Sequence, residues 1–218
     1  MITEKTPLLL GSASPRRSAI LASLGIPFVV LPADIDEDVQ AGESPLRYLE
    51  RIVEAKLAAV WSRLDVQGPP GGASGVAAVL VADTIVVLDD AIVGKPADVA
   101  DARVTLARLV GRKHTVFTRY LLGRHVRNGS GQQHLGARTV STEVKLRDAT
   151  PDEVKAYAAT GEGLDKAGAY AAQGIGTFLV EGLVGSYSNV VGLPACELIT
   201  DLQRSGLLGV FPRAVAEL

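Results

Sequence analysis

The 218 residues include only one cysteine and three histidines. Cys196 alone closes no intrachain disulfide and assembles neither a zinc cluster nor a Cys-x-x-Cys redox pair. That scarcity fits a reducing, cytoplasmic compartment. A surplus of charge is also lacking: 22 basic residues face 24 acidic ones, for a net charge of −2. A nucleic acid polymer is therefore not expected as a partner, because backbone binders carry a basic face or excess; a few lysines in a cleft still suffice for one small polyanion. No apolar run approaches the ~20 residues that a membrane span needs, so no membrane partner is expected. The stretch MITEKTPLLL carries an acidic residue and too short an apolar run for a secretory signal, which leaves the sequon at Asn128 idle. His114, His125 and His134 lack metal-ligand spacing. Walker A, GxGxxG, GxSxG and HExxH patterns are missing as well, which removes the common nucleotide and hydrolase motifs.

What is present is an alternation of apolar runs with helical periods. The pattern predicts a strand over 8–11, a helix over 15–24 and a strand over 27–31. Ser44-Pro45 then opens an amphipathic helix with Leu46, Leu49, Val53, Leu57 and Val60 on its apolar face. QGPPGGASG at 67–75 reads as a surface loop, and 76–88 as a long apolar run interrupted by Asp83-Thr84. Asp98 is expected to cap a helix to Leu109. A strand over 115–122, a polar loop over 124–136 and a strand over 137–146 follow. Thr150-Pro151-Asp152-Glu153 is a capping box that starts a helix running to Ala159. The glycine-rich region 161–192 is expected to hold a strand near 175–180, and 193–203 the last helix. Together these elements predict a three-layer α/β fold with a mixed sheet, as one domain over residues 1–218.

The stretch LLLGSASPRRSAI places Ser14 at an N-cap, Pro15 at the first helical position, and Arg16 and Arg17 in the first turn. A helix N-terminus already carries free N–H groups and about half a positive charge, so two guanidinium groups there repel it. Either an acidic side chain elsewhere matches them, or serine hydroxyls, N–H groups and arginines converge on phosphate. In VAAVLVADTIVVLDD the Asp83 carboxylate interrupts a run that looks buried on both faces. It needs a partner if buried, unless it merely ends a strand or caps a turn. Lys95 sits in a Gly94-Pro96 turn that fixes its direction. Taken alone, Lys56 and Lys166 read as solvated lysines near helix ends rather than as catalytic ones, and Asn189 reads as a cap of the last helix. Gln173 offers both an amide donor and a carbonyl acceptor, the equipment for reading a base edge.

The phrases GSASPRR, ADTIVVLDDAIVGKP, TGEGLDKAGAYAAQG and GSYSNVVGLP, in that order, resemble the Maf family of nucleoside triphosphate pyrophosphatases over residues 8–198. The resemblance implies an inosine-triphosphatase-like α/β fold with two lobes around a cleft. It implies a divalent metal, Mg²⁺ or Mn²⁺, and hydrolysis of a nucleoside triphosphate to monophosphate and pyrophosphate. By this resemblance Asp83 is the general base and, with Glu37, a metal ligand. Ser12, Ser14, Arg16, Arg17, Lys56, Thr84, Lys95, Lys166 and Gln173 bind substrate. Thr84 and Gln173 match the branch acting on dTTP and UTP, with Ala171-Ala172 departing from the family's Gly-Ile. A homodimer is compatible with it. A regulator of cell division that binds nucleotides without turnover, and a pyrophosphatase for 7-methyl-GTP or other modified nucleotides, stay open as alternatives.

Overall fold

β3 (Ala78–Leu88) is the axis of the molecule, and all its residues are buried except the half-buried Thr84. The computed structural model describes residues 1–125 and 132–212; the sequon and the tip of the loop expected over 124–136 lie outside them. β1 (Leu8–Leu10) pairs parallel with the start of β3, and β2 (Phe28–Val30) pairs parallel with β1. On the other flank β5 (Lys113–His125), β6 (Gln132–Leu146) and β7 (Val180–Val184) follow in antiparallel order. β4 (Ala91–Val93) pairs back on the end of β3. The result is a seven-stranded mixed sheet, β2-β1-β3-β5-β6-β7, with β4 on β3.

Strand alternation divides the side chains of β3 between two faces. Ala78, Leu80 and Ala82 pack with α1 (Pro15–Ser23) and α6 (Ala195–Arg204), while Val86 and Leu88 on the same face pack with α3 (Val99–Leu109) and α4 (Pro151–Ala159). Thr84 lies at the junction of these two clusters. On the opposite face Val79 and Val81, then Ile85 and Val87, pack against α2 (Pro45–Gln67), with Asp83 at their junction. The sheet is thus flanked by helices on both faces, as expected for a three-layer α/β protein.

Two features of β3 place the site. β1 stops pairing at Leu80 and β4 begins at Val86, so among the described residues no strand covers that edge of β3 between them. The chain leaving β1 turns tightly there: Gly11 donates to the Leu80 carbonyl at 2.8 Å, and a Cβ at Gly11 would meet Val81 at 2.7 Å and Val60 at 2.8 Å. Only glycine fits that approach. Asp83 and Thr84 are left facing the opening, so Asp83 lies inside a strand and neither ends one nor caps a turn.

Several sequence expectations hold locally. Asp98 caps α3 through the Asp101 N–H, and Thr150 and Glu153 form both halves of the capping box of α4. Other expectations need correction. Leu46 is exposed, while Leu49, Val53, Leu57 and Val60 form the buried stripe of α2. The polar residues expected as loop on either side of the 126–131 stretch continue β5 and β6, because long antiparallel pairing satisfies their backbone. The strand expected near 175 is a 3-10 helix, Gly174–Leu179, because the Glu162 carboxylate accepts from the Ile175 and Gly176 N–H groups and holds the turn. Asn189 caps no helix. It lies inside the unexpected short α5 (Tyr187–Val191), capped by Ser186, and the last helix starts at Ala195.

Asn189 fastens α5 to the sheet. Its side-chain oxygen accepts from the Thr118 N–H at 3.1 Å, and its amide donates to Val116 O at 3.0 Å and Thr142 Oγ1 at 2.9 Å. Replacing Asn189 by leucine leaves those three buried groups without their partner. We expect a loss of about 3 kcal/mol, read as a lower urea midpoint at unchanged m-value. An unchanged midpoint would show that α5 docks without this amide.

Candidate functional site

The uncovered edge of β3 opens into a cleft of about 370 Å³. The loop 11–17, Glu37, Lys56, Asp83, Thr84, Lys95, the stretch 165–167, Tyr170 to Gln173 and Val190 to Gly192 line it. Every site residue singled out in the sequence therefore reaches one space, although some are bound to protein groups there. Ser14 caps nothing with its side chain, and no acidic residue occupies the first turn of α1.

Lys56 organises the floor. It sits in the middle of α2, not near an end, and it is buried between the two apolar clusters of that face. A lysine buried there needs anions. Its ammonium donates to Asp83 Oδ1 at 2.7 Å and contacts Glu37 Oε1 at 2.7 Å. Burial pushes the Glu37 carboxyl up, but its hydrogen bond and ion pair with Lys56 outweigh this, helped by Lys95 and Arg17, and hold it below the usual value. The loop that carries Glu37 is fastened by α2 as well. Tyr48 donates to Glu37 O at 3.0 Å, and Arg51 donates to Asp38 O at 2.9 Å while forking onto Glu43 at 2.7 Å. Burial, with the charges of Asp83 and Glu37, raises the Tyr48 phenol, so it remains a donor.

The two arginines of the opening helix have different fates. Arg17 is buried and donates to Gly192 O at 2.8 Å, Ser12 Oγ at 2.8 Å and Thr84 Oγ1 at 3.2 Å. Burial lowers its pKa, opposed by the Asp83 charge, yet a guanidinium stays charged. Arg16 instead pairs with Asp165 at 2.8 Å, and Asp165 also takes Lys166 at 2.5 Å. Burial pushes the Asp165 carboxyl up, but hydrogen bonds from Lys166 and Arg16 bring it down to about 2. Lys95 is exposed at the mouth, and its turn is tied to the opposite wall by the Gly168 N–H donating to Gly94 O at 3.1 Å. Gly168 holds φ 76° there, a conformation that glycine adopts freely.

Sequence reasoning missed several supporting groups. Glu162 also accepts from Tyr157 at 2.8 Å, and so shapes the turn that presents Gln173; its place between Gly161 and Gly163 is the signal that could have found it. Thr118, Tyr48 and Arg51 carry no such local signal. The described histidine side chains stay outside the cleft. His114 bonds the Tyr170 hydroxyl at 2.7 Å and burial pushes its pKa down to about 4, while His134 faces Glu54 at 3.6 Å.

Five cationic side chains against three carboxylates, gathered where a mixed sheet lacks a strand, define an α/β protein built to take a small polyanion. The chain belongs to the Maf-like protein family, which it matches over residues 7–205. It is 46% identical over 208 residues to a dTTP/UTP pyrophosphatase of Myxococcus xanthus, covering 95% of this chain and 96% of that one. A dTTP/UTP pyrophosphatase of Geobacter sulfurreducens is 42% identical over 205 residues, covering 94% and 100%. One from Syntrophotalea carbinolica is 41% identical over 204 residues, covering 94% and 87%.

The lowered carboxyl of Glu37 stabilises the fold above its ordinary value of 4.5, and that contribution is lost as pH falls through its folded value. We expect the melting temperature of the protein to drop as pH is lowered below about 4.5. Lys56→Met reverses the sign for Glu37: without the ammonium, burial raises its carboxyl, so acid relieves the variant. The gap in melting temperature between the two proteins should be wider at pH 7 than at pH 4. A constant gap would show that Lys56 acts by packing alone.

Proposed function

We propose that this protein is a nucleoside triphosphate pyrophosphatase that hydrolyses dTTP and UTP to the monophosphate and pyrophosphate. The observation that carries the reading is the Lys56 ammonium between Asp83 and Glu37, a positioned carboxylate pair in a cleft otherwise rich in cations. The names of the relatives supply the nucleotide class.

In this reading Arg16, Lys95, Lys166 and the free N–H groups of α1 hold the triphosphate, with Ser12 and Ser14 beside them and Arg17 backing the loop. Asp83 lines the cleft and gives one oxygen to Lys56, which leaves it a second oxygen for the reaction. That second oxygen orients a water in line with the α-phosphorus and takes its proton, while the bond to the leaving pyrophosphate breaks. Lys56 keeps the carboxylate aimed and Glu37 beside it. Gln173 reads the uracil or thymine edge with its amide.

The donor set fits a hard divalent ion. No group of three or more histidine, cysteine, aspartate or glutamate side chains is placed to hold a metal ion by itself among the described residues. Glu37 and Asp83 do each carry one oxygen beyond the one that meets Lys56, and Mg²⁺ or Mn²⁺ takes one or two carboxylates, phosphate oxygens and water. When bound, such an ion neutralises phosphate charge. The reading further takes residues 1–218 as one domain whose two packed halves meet at the cleft, acting in the cytoplasm on free nucleotide without a nucleic acid partner. No helix among the described residues is long and apolar enough to cross a membrane.

The test is product analysis over UTP, dTTP, CTP, GTP and 7-methyl-GTP with Mg²⁺ and with Mn²⁺. Pyrophosphate from UTP and dTTP is expected, and Asp83→Asn should bind nucleotide while losing about 10²–10⁴ in turnover. Orthophosphate release, or binding with no release, overturns the pyrophosphatase reading. A guanine nucleotide as best substrate overturns the pyrimidine assignment.

A further inference from the structure

Thr84 lines the cleft, and its hydroxyl belongs to a chain of hydrogen bonds that runs into the core. Arg17 Nη2 donates to Thr84 Oγ1 at 3.2 Å, Thr84 Oγ1 meets Thr118 Oγ1 at 2.9 Å, and Thr118 Oγ1 donates to the Asn189 carbonyl at 2.9 Å. Thr84 and Thr118 stand directly opposite each other in the β3–β5 register, and both Thr118 and Asn189 are fully buried.

The chemistry of the two ends gives this chain one direction. A guanidinium only donates and a carbonyl only accepts, while each hydroxyl has a single proton. Thr118 spends its proton on Asn189, so it can only accept from Thr84. Thr84 therefore spends its proton on Thr118 and accepts from Arg17. A second inward acceptor, Gly192 O at 3.5 Å, lies on the protein side as well. Thr84 therefore has a lone pair, and no proton, left to offer a ligand.

We propose that Thr118 is a positioning residue that sets nucleobase choice, by fixing the Thr84 hydroxyl as an acceptor. The inference rests on the pyrimidine nucleotide reading above. An acceptor repels phosphate oxygens and base carbonyls, so Thr84 serves the nucleoside end of the ligand and not the triphosphate. On a uracil or thymine edge its partner is the N3–H, flanked by carbonyls that Gln173 can serve with its amide. Cytosine places a lone pair at N3, and two lone pairs then face each other.

The test is a gain of substrate. Thr118→Val removes the stronger inward acceptor and leaves only Gly192 O at 3.5 Å, too long to hold the Thr84 proton against a ligand acceptor, so kcat/KM for CTP should rise by about tenfold while UTP changes by about twofold or less. Thr118→Ser keeps the hydroxyl and should keep the original ratio. A role in stability alone would lower both substrates together. Thr84→Val keeps the assay decisive if Thr118→Val does not fold: it should narrow the preference for UTP over N3-methyl-UTP, which retains both carbonyls and carries a methyl group in place of the N–H. The proposal is overturned if wild-type protein releases pyrophosphate from UTP while Thr118→Val leaves the UTP-to-CTP ratio unchanged, or if Thr84→Val leaves the preference for UTP over N3-methyl-UTP intact. Wild-type protein that releases no pyrophosphate from UTP overturns the functional reading itself, and the base assignment falls with it.

Discussion

A charged carboxylate in the middle of a buried strand is the constraint around which this molecule is arranged. Asp83 lies between valines and isoleucines on the α2 face of β3, where an unpaired charge costs several kcal/mol. The fold answers with Lys56, which brings its own burial cost and is stabilised only because a second carboxylate, Glu37, meets it from a loop. Each of the three groups is tolerable because the other two are present. The fastening of that loop by Tyr48 and Arg51 follows from the same need, since a loose Glu37 leaves the ammonium half compensated.

The second constraint is the backbone. A strand edge without a partner must expose its N–H and C=O groups to water or to a ligand, and proteins usually cover such edges. Here β1 ends early and β4 begins late, so the uncovered stretch of β3 is short and walled by the loop after Gly11 and by the Gly94 and Gly168 turns. The gap lets side chains from both faces of one strand, Asp83 and Thr84, reach a single cleft. A continuous sheet would separate them by its own thickness. Chemistry and recognition can therefore sit on adjacent residues.

Much of the scaffold was legible because its signals are local. Proline at the first helical position, the Asp98 cap and the Thr150–Glu153 box all act within four residues, and each appears as expected. The cluster of site residues was legible through family phrases more than through physics. What escaped the sequence depends on contacts across the fold. Lys56 looked like a solvated lysine because nothing nearby announces that Asp83, 27 residues away, will lie above it. The 3-10 turn at Gly174 looked like a strand because its determinant, Glu162, comes from another segment. Thr118 sits in an ordinary strand pattern, and its importance arises only once β5 is set against β3 and α5 against both.

The two arginines that open α1 show how one dipeptide can be divided between structure and ligand. Arg17 points inward and is spent on a carbonyl and two hydroxyls, so it braces the loop after β1 against the turn after α5. Arg16, one residue earlier, faces the cleft, and its partner is the exposed Asp165 carboxylate. An exposed ion pair contributes little to stability, so Arg16 is held in place without being fixed by it. The same carboxylate holds Lys166. Asp165 thus holds two cations beside the cleft. The repulsion between the helix N-terminus and its arginines is offset twice over: by a buried hydrogen-bonded frame for Arg17, and by an exposed carboxylate for Arg16.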